Sequence, residues 1–378
     1  MSGYWQNLES RNFVSGGTVA FSMDGLPPKT RVRSLQLSFD LTGIKGTGDV
    51  LGGDQFARLV SNVKLGNFFN LSGMDLSRLM WQVNGHVVED PANYYNIVAG
   101  ATTFSMYFTL DIYLRDPRTG NSEDGSMPTE LLATRGIELT LAAGNVWGVG
   151  SLAVTAGVIR CAVERIHETN IPFLNRFGYI DASSQTVRLE PGLYKELLLT
   201  KPDGTNILQS DISVVDLVAD GRPILQAMRY EQLITAWNRT AMRNGVAGSR
   251  SELTKSAGVP FLPLIWHDNS MRSGITKQLL AEKDCFLQIT AGGYAAPRVV
   301  YWKGIQKDQE TLKNIAVAIG APANAQVYEP QTASKTPPHT DHTTQGDGKQ
   351  KTKHRVLYGF LPGKFRTSVT PGNKAAGG

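Results

Sequence analysis

Two tandem β-sandwiches, with short helices confined to loops, are the fold this sequence predicts. Three observations predict it: apolar residues recurring with period two, turn residues bounding each such run, and segments that recur in the same order in the two halves. At 378 residues the chain exceeds one sandwich and suits two domains, each large enough to bury its own core. The 39 glycines and 18 prolines supply the many tight turns that an all-β chain needs.

The alternation is clearest at Leu35, Leu37, Phe39 and Leu41, which are separated by Gln36, Ser38 and Asp40. One face of such a strand is buried and the other meets water or a partner. The pattern returns at Phe108, Leu110, Ile112 and Leu114, and again at Ile137, Leu139 and Leu141. Asp24-Gly25-Leu26-Pro27-Pro28, Asp116-Pro117-Arg118-Thr119-Gly120 and Ala143-Gly144-Asn145 punctuate the runs with turn chemistry. Met74 to Val83 and Met228 to Trp237 instead place apolar residues three and four apart, the spacing of short helices.

The repeat is most direct where Leu131 to Gly144 matches Leu279 to Gly292 without a gap, an offset of 148. Upstream, Leu110 to Asp116 matches Leu262 to Asp268 at an offset of 152, and Met74 to Leu79 matches Met228 to Leu233 at 154. Downstream, Val158-Ile159-Arg160 is aligned with Val299-Val300-Tyr301 at 141. Four blocks in one order with falling offsets predict a duplication whose second copy has shorter loops. Each copy holds about eight strands of ~5 or 6 residues, the content of a jelly roll. The expected organisation is an N-terminal arm (1–13), a first jelly roll (14–168), a connector (169–186), a second jelly roll (187–310) and a C-terminal extension (311–378). Residues 322–354 of that extension, rich in Pro, Thr, Gln, Lys and His, have the composition of a flexible segment. Val356 to Leu361 beyond it has the pattern of a closing strand or docked arm.

The search for chemistry is uniformly negative. No phosphate-binding loop, nucleophile elbow, HExxH or CxxC pair is present, so no enzyme activity, cofactor or metal is predicted. His339, His342 and His354, with Asp341 and Asp347, have ligand chemistry but lie in the loop-like segment, without the rigid surroundings a metal site needs. His267 and Asp268 are adjacent on a strand end and point to opposite faces, so they do not make a base and its orienting acid. Glu130, Glu138 and Glu164 offer no distinguished carboxylate pair. Trp81, Trp147, Trp237, Trp266 and Trp302 fit cores or interfaces better than a sugar-binding face. Cys161 and Cys285, the only cysteines, sit in apolar runs and read as inert core thiols. A net charge of +5 with dispersed Lys and Arg predicts no sequence-specific nucleic-acid binding.

Met1 to Val14 lacks the apolar core of a secretory signal, and no apolar run approaches the ~18 residues of a membrane-spanning helix, so synthesis in a host cytoplasm is expected. Tyr4, Trp5 and Phe13, set among Glu9 and Arg11, are the candidate contacts to a membrane or a neighbouring subunit.

The tandem repeat, the segment Arg58-Leu59-Val60-Ser61-Asn62-Val63-Lys64-Leu65 and the order strand, loop, Pro128, Glu130-Leu131-Leu132, strand together resemble one family. It is the double jelly-roll major capsid proteins of tailless icosahedral, often membrane-containing bacteriophages and their relatives, the tectivirus, corticovirus and adenovirus-hexon lineage. The resemblance implies a non-enzymatic virion protein whose homotrimer forms a pseudo-hexagonal (pseudo-hexameric) capsomer. Its implied partners are neighbouring capsomers, penton and minor capsid proteins and an internal viral membrane, and its location is the capsid. The competing expectations are a carbohydrate-binding or carbohydrate-cleaving sandwich and a minor capsid or spike protein.

Overall fold

The computed structural model describes residues 4–306 other than 28–29, 50–52, 67, 85–93, 96–98, 116–125, 130–135, 149, 168–172, 182–185, 236–257, 266–278, 282–283 and 292–296. The first half contributes β1 (Tyr4–Asn12), β2 (Thr18–Ser22), β3 (Thr30–Ile44), β4 (Val60–Leu65), β5 (Phe69–Leu71), α1 (Gly73–Asn84), β6 (Tyr94–Tyr95), β7 (Thr103–Tyr113), β8 (Met127–Pro128), β9 (Gly136–Leu141) and β10 (Ala153–His167). They form two antiparallel sheets, β1-β10-β3-β7-β6 with β8 on β3, and β2-β9-β4-β5. The second half contributes β11 (Phe173–Asp181), β12 (Thr186–Leu189), β13 (Gly192–Thr200), β14 (Ile212–Ala219), β15 (Arg222–Met228), β16 (Leu262–Pro263), β17 (Leu279–Ala281), β18 (Cys285–Ala291) and β19 (Arg298–Gln306). Its sheets are β11-β19-β13-β16 with β17 on β13, and β12-β18-β14-β15.

The two orders are the same arrangement written twice. Replacing β1, β10, β3 and β7 by β11, β19, β13 and β16 converts the first large sheet into the second; β2, β9, β4 and β5 likewise become β12, β18, β14 and β15. Eight strands in two four-stranded layers with this interleaved order make a jelly roll. The register agrees as well. Leu139 pairs with Val19 and Val63, and Leu287, at an offset of 148, pairs with Val187 and Leu217. Leu110 pairs with Leu37, and Leu262, at an offset of 152, pairs with Leu199. The helical position is also repeated: α1 buries Leu76 and Leu79, and helical residues 230–235 bury Tyr230 and Leu233 at the offset of 154.

A shared irregularity aligns the last strands. In the first roll a bulge at Arg33 falls between the pairs Ser34↔Glu164 and Val32↔Arg165; in the second, a bulge at Lys195 falls between Glu196↔Trp302 and Tyr194↔Lys303. Arg33 and Lys195 therefore correspond, as do Glu164 with Trp302 and Arg165 with Lys303, at an offset of 138 (302 minus 164). The expected alignment of Val158-Ile159-Arg160 with Val299-Val300-Tyr301 at 141 is three residues out of place. An odd error turns every side chain to the wrong face of a strand. Arg160 corresponds to Arg298 and Cys161 to Val299.

The expected boundaries also shift. Residues 1–13 hold β1, an edge strand hydrogen-bonded to β10, and not a free arm; residues 169–186 hold β11, hydrogen-bonded to β19, and not only a connector. Each is the first strand of its roll. The core lies between the layers, with Phe21, Leu37, Phe39 and Cys161 fully buried in the first roll and Leu189, Leu199, Leu217 and Leu287 in the second. Phe39 and Phe108 stack at 4.4 Å, with Phe56 at 6.0 Å from Phe108. Each such ring removes enough apolar surface from water to stabilise the fold by about 1.5–3 kcal/mol.

Candidate functional site

The residues singled out for chemistry do not assemble into a reactive centre among the described residues. No three His, Cys, Asp or Glu side chains lie together as potential metal ligands there. His339, His342, His354, Asp341, Asp347, His267, Asp268 and Glu130 lie outside the described residues, as do Trp237, Trp266, Val356 to Leu361 and the whole C-terminal extension. Glu164 is committed to structure, accepting from Ser34 Oγ at 2.8 Å and pairing with Arg33 at 3.0 Å. Trp147 and Trp302 are buried, and the Trp147 indole N–H donates to the Gln55 carbonyl at 2.8 Å, so neither offers a face to a sugar. Both thiols are free and buried, and burial pushes Cys161 up to about 12 and Cys285 up to about 11. At neutral pH neither is a nucleophile. No described helix is long and apolar enough to cross a membrane.

What the fold does build is a junction between the two rolls. It begins at the start of α1, where Ser72 Oγ accepts from the Asp75 N–H at 3.0 Å and donates to Asp75 Oδ2 at 2.9 Å, closing the helix N-terminus. The same carboxylate reaches across to the second roll. Thr200 Oγ1 donates to Asp75 Oδ1 at 2.9 Å, and Arg298 Nη1 donates to Asp75 Oδ2 at 2.9 Å. Arg298 Nε donates to Asp181 at 2.7 Å, and its guanidinium lies 4.1 Å from the centre of the Tyr179 ring. Arg58 and Arg78 both donate to the Gly204 carbonyl, at 3.2 and 2.7 Å. A buried carboxylate with this many donors is compensated for the water it has lost.

Beside this polar group lies an apolar one. Phe69 on β5 meets Phe177 on β11 edge-on at 5.5 Å, and Phe177 meets Trp302 on β19 at 5.3 Å. Strand β5 and helix α1 of the first roll thus pack on the outer face of β11, β19 and β13, which is why β13 and β19 are buried on both sides. The alternation of a half-exposed strand is absent from β19 for the same reason: Val299, Val300 and Trp302 are all fully buried.

Among the described residues the equivalent sheet of the first roll has no such cover. Arg160 and Asp40 on its outer face, 3.6 Å apart, are half-exposed or more. Of the three aromatic residues expected to contact a membrane or neighbour, Tyr4 and Trp5 are exposed, at 58% and 57%. Phe13 differs: it is half-buried against the first core, its backbone N–H held by the Gly157 carbonyl at 2.9 Å.

No protein-family model matches the sequence, and no curated protein sequence matches it. Solved structures do match in fold. A chain of Sulfolobus Turreted Icosahedral Virus aligns with a TM-score of 0.56 over 85% of this chain and 98% of its own, at 13% identity. The fold is the double jelly roll. The crystal structure of the STIV MCP aligns at a TM-score of 0.53, covering 82% of this chain and 99% of that one at 13% identity. A chain of the PBCV-1 virus capsid aligns at 0.50, covering 80% and 94% at 11% identity. The double jelly roll here spans nearly the full length of each of those chains.

Proposed function

We propose that this chain is a major capsid protein, a non-enzymatic subunit of an icosahedral virion shell. The observation that carries the reading is the duplicated jelly roll itself: two copies of one sheet order, matched over 85% and 80% of this chain by a chain of a turreted icosahedral virus and a chain of the PBCV-1 virus capsid. Duplication suits that role because a trimer of a two-roll chain presents six similar domains and so fills a position with six neighbours while keeping three-fold symmetry. In this reading the chain forms a homotrimeric, pseudo-hexagonal capsomer and packs against neighbouring capsomers, penton and minor capsid proteins. An internal viral membrane is a further partner, the virus is a bacteriophage, and the protein is made in the host cytoplasm.

Electron microscopy of the purified protein tests the proposal. Three-fold particles of hexagonal outline with six sandwich densities are expected. A monomer at every concentration, with no ordered assembly, would overturn it.

A further inference from the structure

We propose that the outer face of β1, β10 and β3, centred on Trp5, is the seat for strand β15 and the helix after it from a second copy of this chain. The contact is the intermolecular counterpart of the junction that β5 and α1 make inside the chain. The ring it closes rests on the capsid reading; the contact itself rests on the positions below.

Trp5 stands opposite Glu164 in the β1-β10 ladder, and Phe177 stands opposite Trp302 in the β11-β19 ladder. Glu164 and Trp302 flank the same bulge, so Trp5 and Phe177 occupy the same place in their rolls. Their surroundings differ completely. Phe177 is 2% exposed beneath Phe69, whereas Trp5 is 57% exposed. Among the described residues there is therefore a cover for one aromatic residue and none for its counterpart.

The matching insert is bare too. Phe69 pairs with Leu65 and Arg222 with Ala219, and Leu65 and Ala219 hold the same place beside Ile137 and Cys285, so the bulge at Ile224 makes Arg222 the counterpart of Phe69. Arg222, Pro223 and Ile224 are exposed, Ile224 at 39%, where Phe68 and Phe69 are buried. An exposed edge strand carrying apolar side chains invites pairing with another chain, and here the complementary surface belongs to the same sequence.

The chemistry of the seat also fits an interface formed after folding. Glu164 stands where the internal junction has Trp302, and Ser10 stands where it has Asp181. A face that spends time in water before assembly carries more polar groups than one that is always covered. The ion pair is not copied residue for residue: exposed Arg229 replaces Asp75, and Arg160 replaces Arg298. Asp40, 3.6 Å from Arg160, is the acid that receives Arg229 in this arrangement. Seat and insert are different surfaces, one on each roll, so the association is head-to-tail and closes as a ring.

The test is a disulfide between the two surfaces in the full-length chain carrying Trp5→Cys and Arg222→Cys. Native Cys161 and Cys285 are buried and stay silent. Mild oxidation is expected to give a covalent trimer on a non-reducing gel, and neither single variant should give it. In parallel, Trp5→Glu is expected to sediment as a monomer with an unchanged unfolding midpoint and circular dichroism. A double-cysteine chain that still sediments as a trimer but does not cross-link overturns the inference and leaves the capsid reading standing. A wild-type chain that is monomeric and forms no hexagonal particles overturns both. If Trp5→Glu instead abolishes flotation with anionic phospholipid vesicles and leaves the trimer intact, the seat belongs to a membrane and the inference fails.

Discussion

Asp75 shows how much one side chain does in this fold. It closes the N-terminus of its own helix and holds Thr200 and Arg298 of the other roll, with only 3% of its side chain exposed. Asp75→Ala leaves Arg298 without that partner in a nearly dry place, and breaking a buried pair in this way costs about 3 kcal/mol. Urea unfolding should show the loss; an unchanged midpoint would mean that Phe69, Phe177 and Trp302 hold the junction unaided. Its place at a helix start follows from the apolar spacing of Met74 to Val83, to which Ser72, three residues before an acid, adds the N-terminal signature. Its partner was not legible: Arg298 lies 223 residues away, and no local pattern encodes a contact of that range. A second ion pair sets an acid limit. The hydrogen bond and charge of Lys303, whose ammonium is 2.7 Å away, hold the Glu190 carboxyl below its ordinary value. Glu190 is the group lowered in the folded state, so its contribution is present above the ordinary carboxylate range and is lost as pH falls through the lowered value. Because Glu190 is two-thirds exposed, screening keeps the effect to about 0.5 kcal/mol. Glu190→Gln should lower stability at neutral pH by that amount and converge with wild type in acid; an offset that persists unchanged in acid would assign the loss to packing.

At the scale of elements, turns and bulges carry information that apolar periodicity does not. Strands β14 and β15 are joined by Asp220-Gly221, both left-handed, with φ of 50° and 73°, and Ala219 pairs with Arg222 across them. This is the two-residue hairpin whose twist matches the strands. Gly221→Val places a branched side chain in a conformation that costs roughly 1–2 kcal/mol. Thermal unfolding should register the loss, while Gly221→Asn, which tolerates this region, should stay close to wild type; equal losses in both would show that the turn does not adopt this form. Since β15 carries Ile224, the same change should also weaken association. Three of the four repeat blocks were placed in register from sequence because their apolar spacing, that of a strand in two and that of a helix in the third, is shared by both copies. The fourth slipped because β19 is buried on both faces and has no alternation to align. β1 and β11 were read as arm and connector for a related reason. Tyr4-Trp5-Gln6-Asn7-Leu8-Glu9 is an edge strand with little buried surface, and Phe173 to Asp181 owes part of its burial to the other roll. The bulged Arg33 and Lys195, both basic and both set beside the same pair of ladder positions, were the signal that would have corrected the alignment.

The whole molecule is asymmetric although its topology is repeated. Duplication gives two rolls with equivalent outer sheets, and among the described residues only one of them is covered from within the chain. The covered one carries a buried apolar group, Trp302, Val300, Leu198 and Phe177, all at 2% exposure or less, on the face that meets the first roll, beside the buried polar Glu196 and Thr200. The uncovered one has kept Glu164, Ser38, Asp40 and Arg160 on the corresponding face, and its one large exposed ring at the junction position is Trp5. This division predicts different behaviour for the two halves when separated. A fragment of residues 1–168 exposes a largely polar outer sheet and should remain soluble, with one cooperative unfolding transition. A fragment beginning at residue 169 exposes contiguous aromatic and aliphatic surface, the kind of patch that drives association, and should aggregate when expressed alone. Adding the first fragment should rescue it, because the Asp75, Thr200 and Arg298 group and the Phe69 contact can form between separate chains as they do within one. Light scattering of the second fragment with and without the first reads the effect directly. A second fragment that is monomeric, folded and indifferent to the first would mean that the apolar sheet is stable in water, and the internal junction would then not be what makes the two rolls depend on one another.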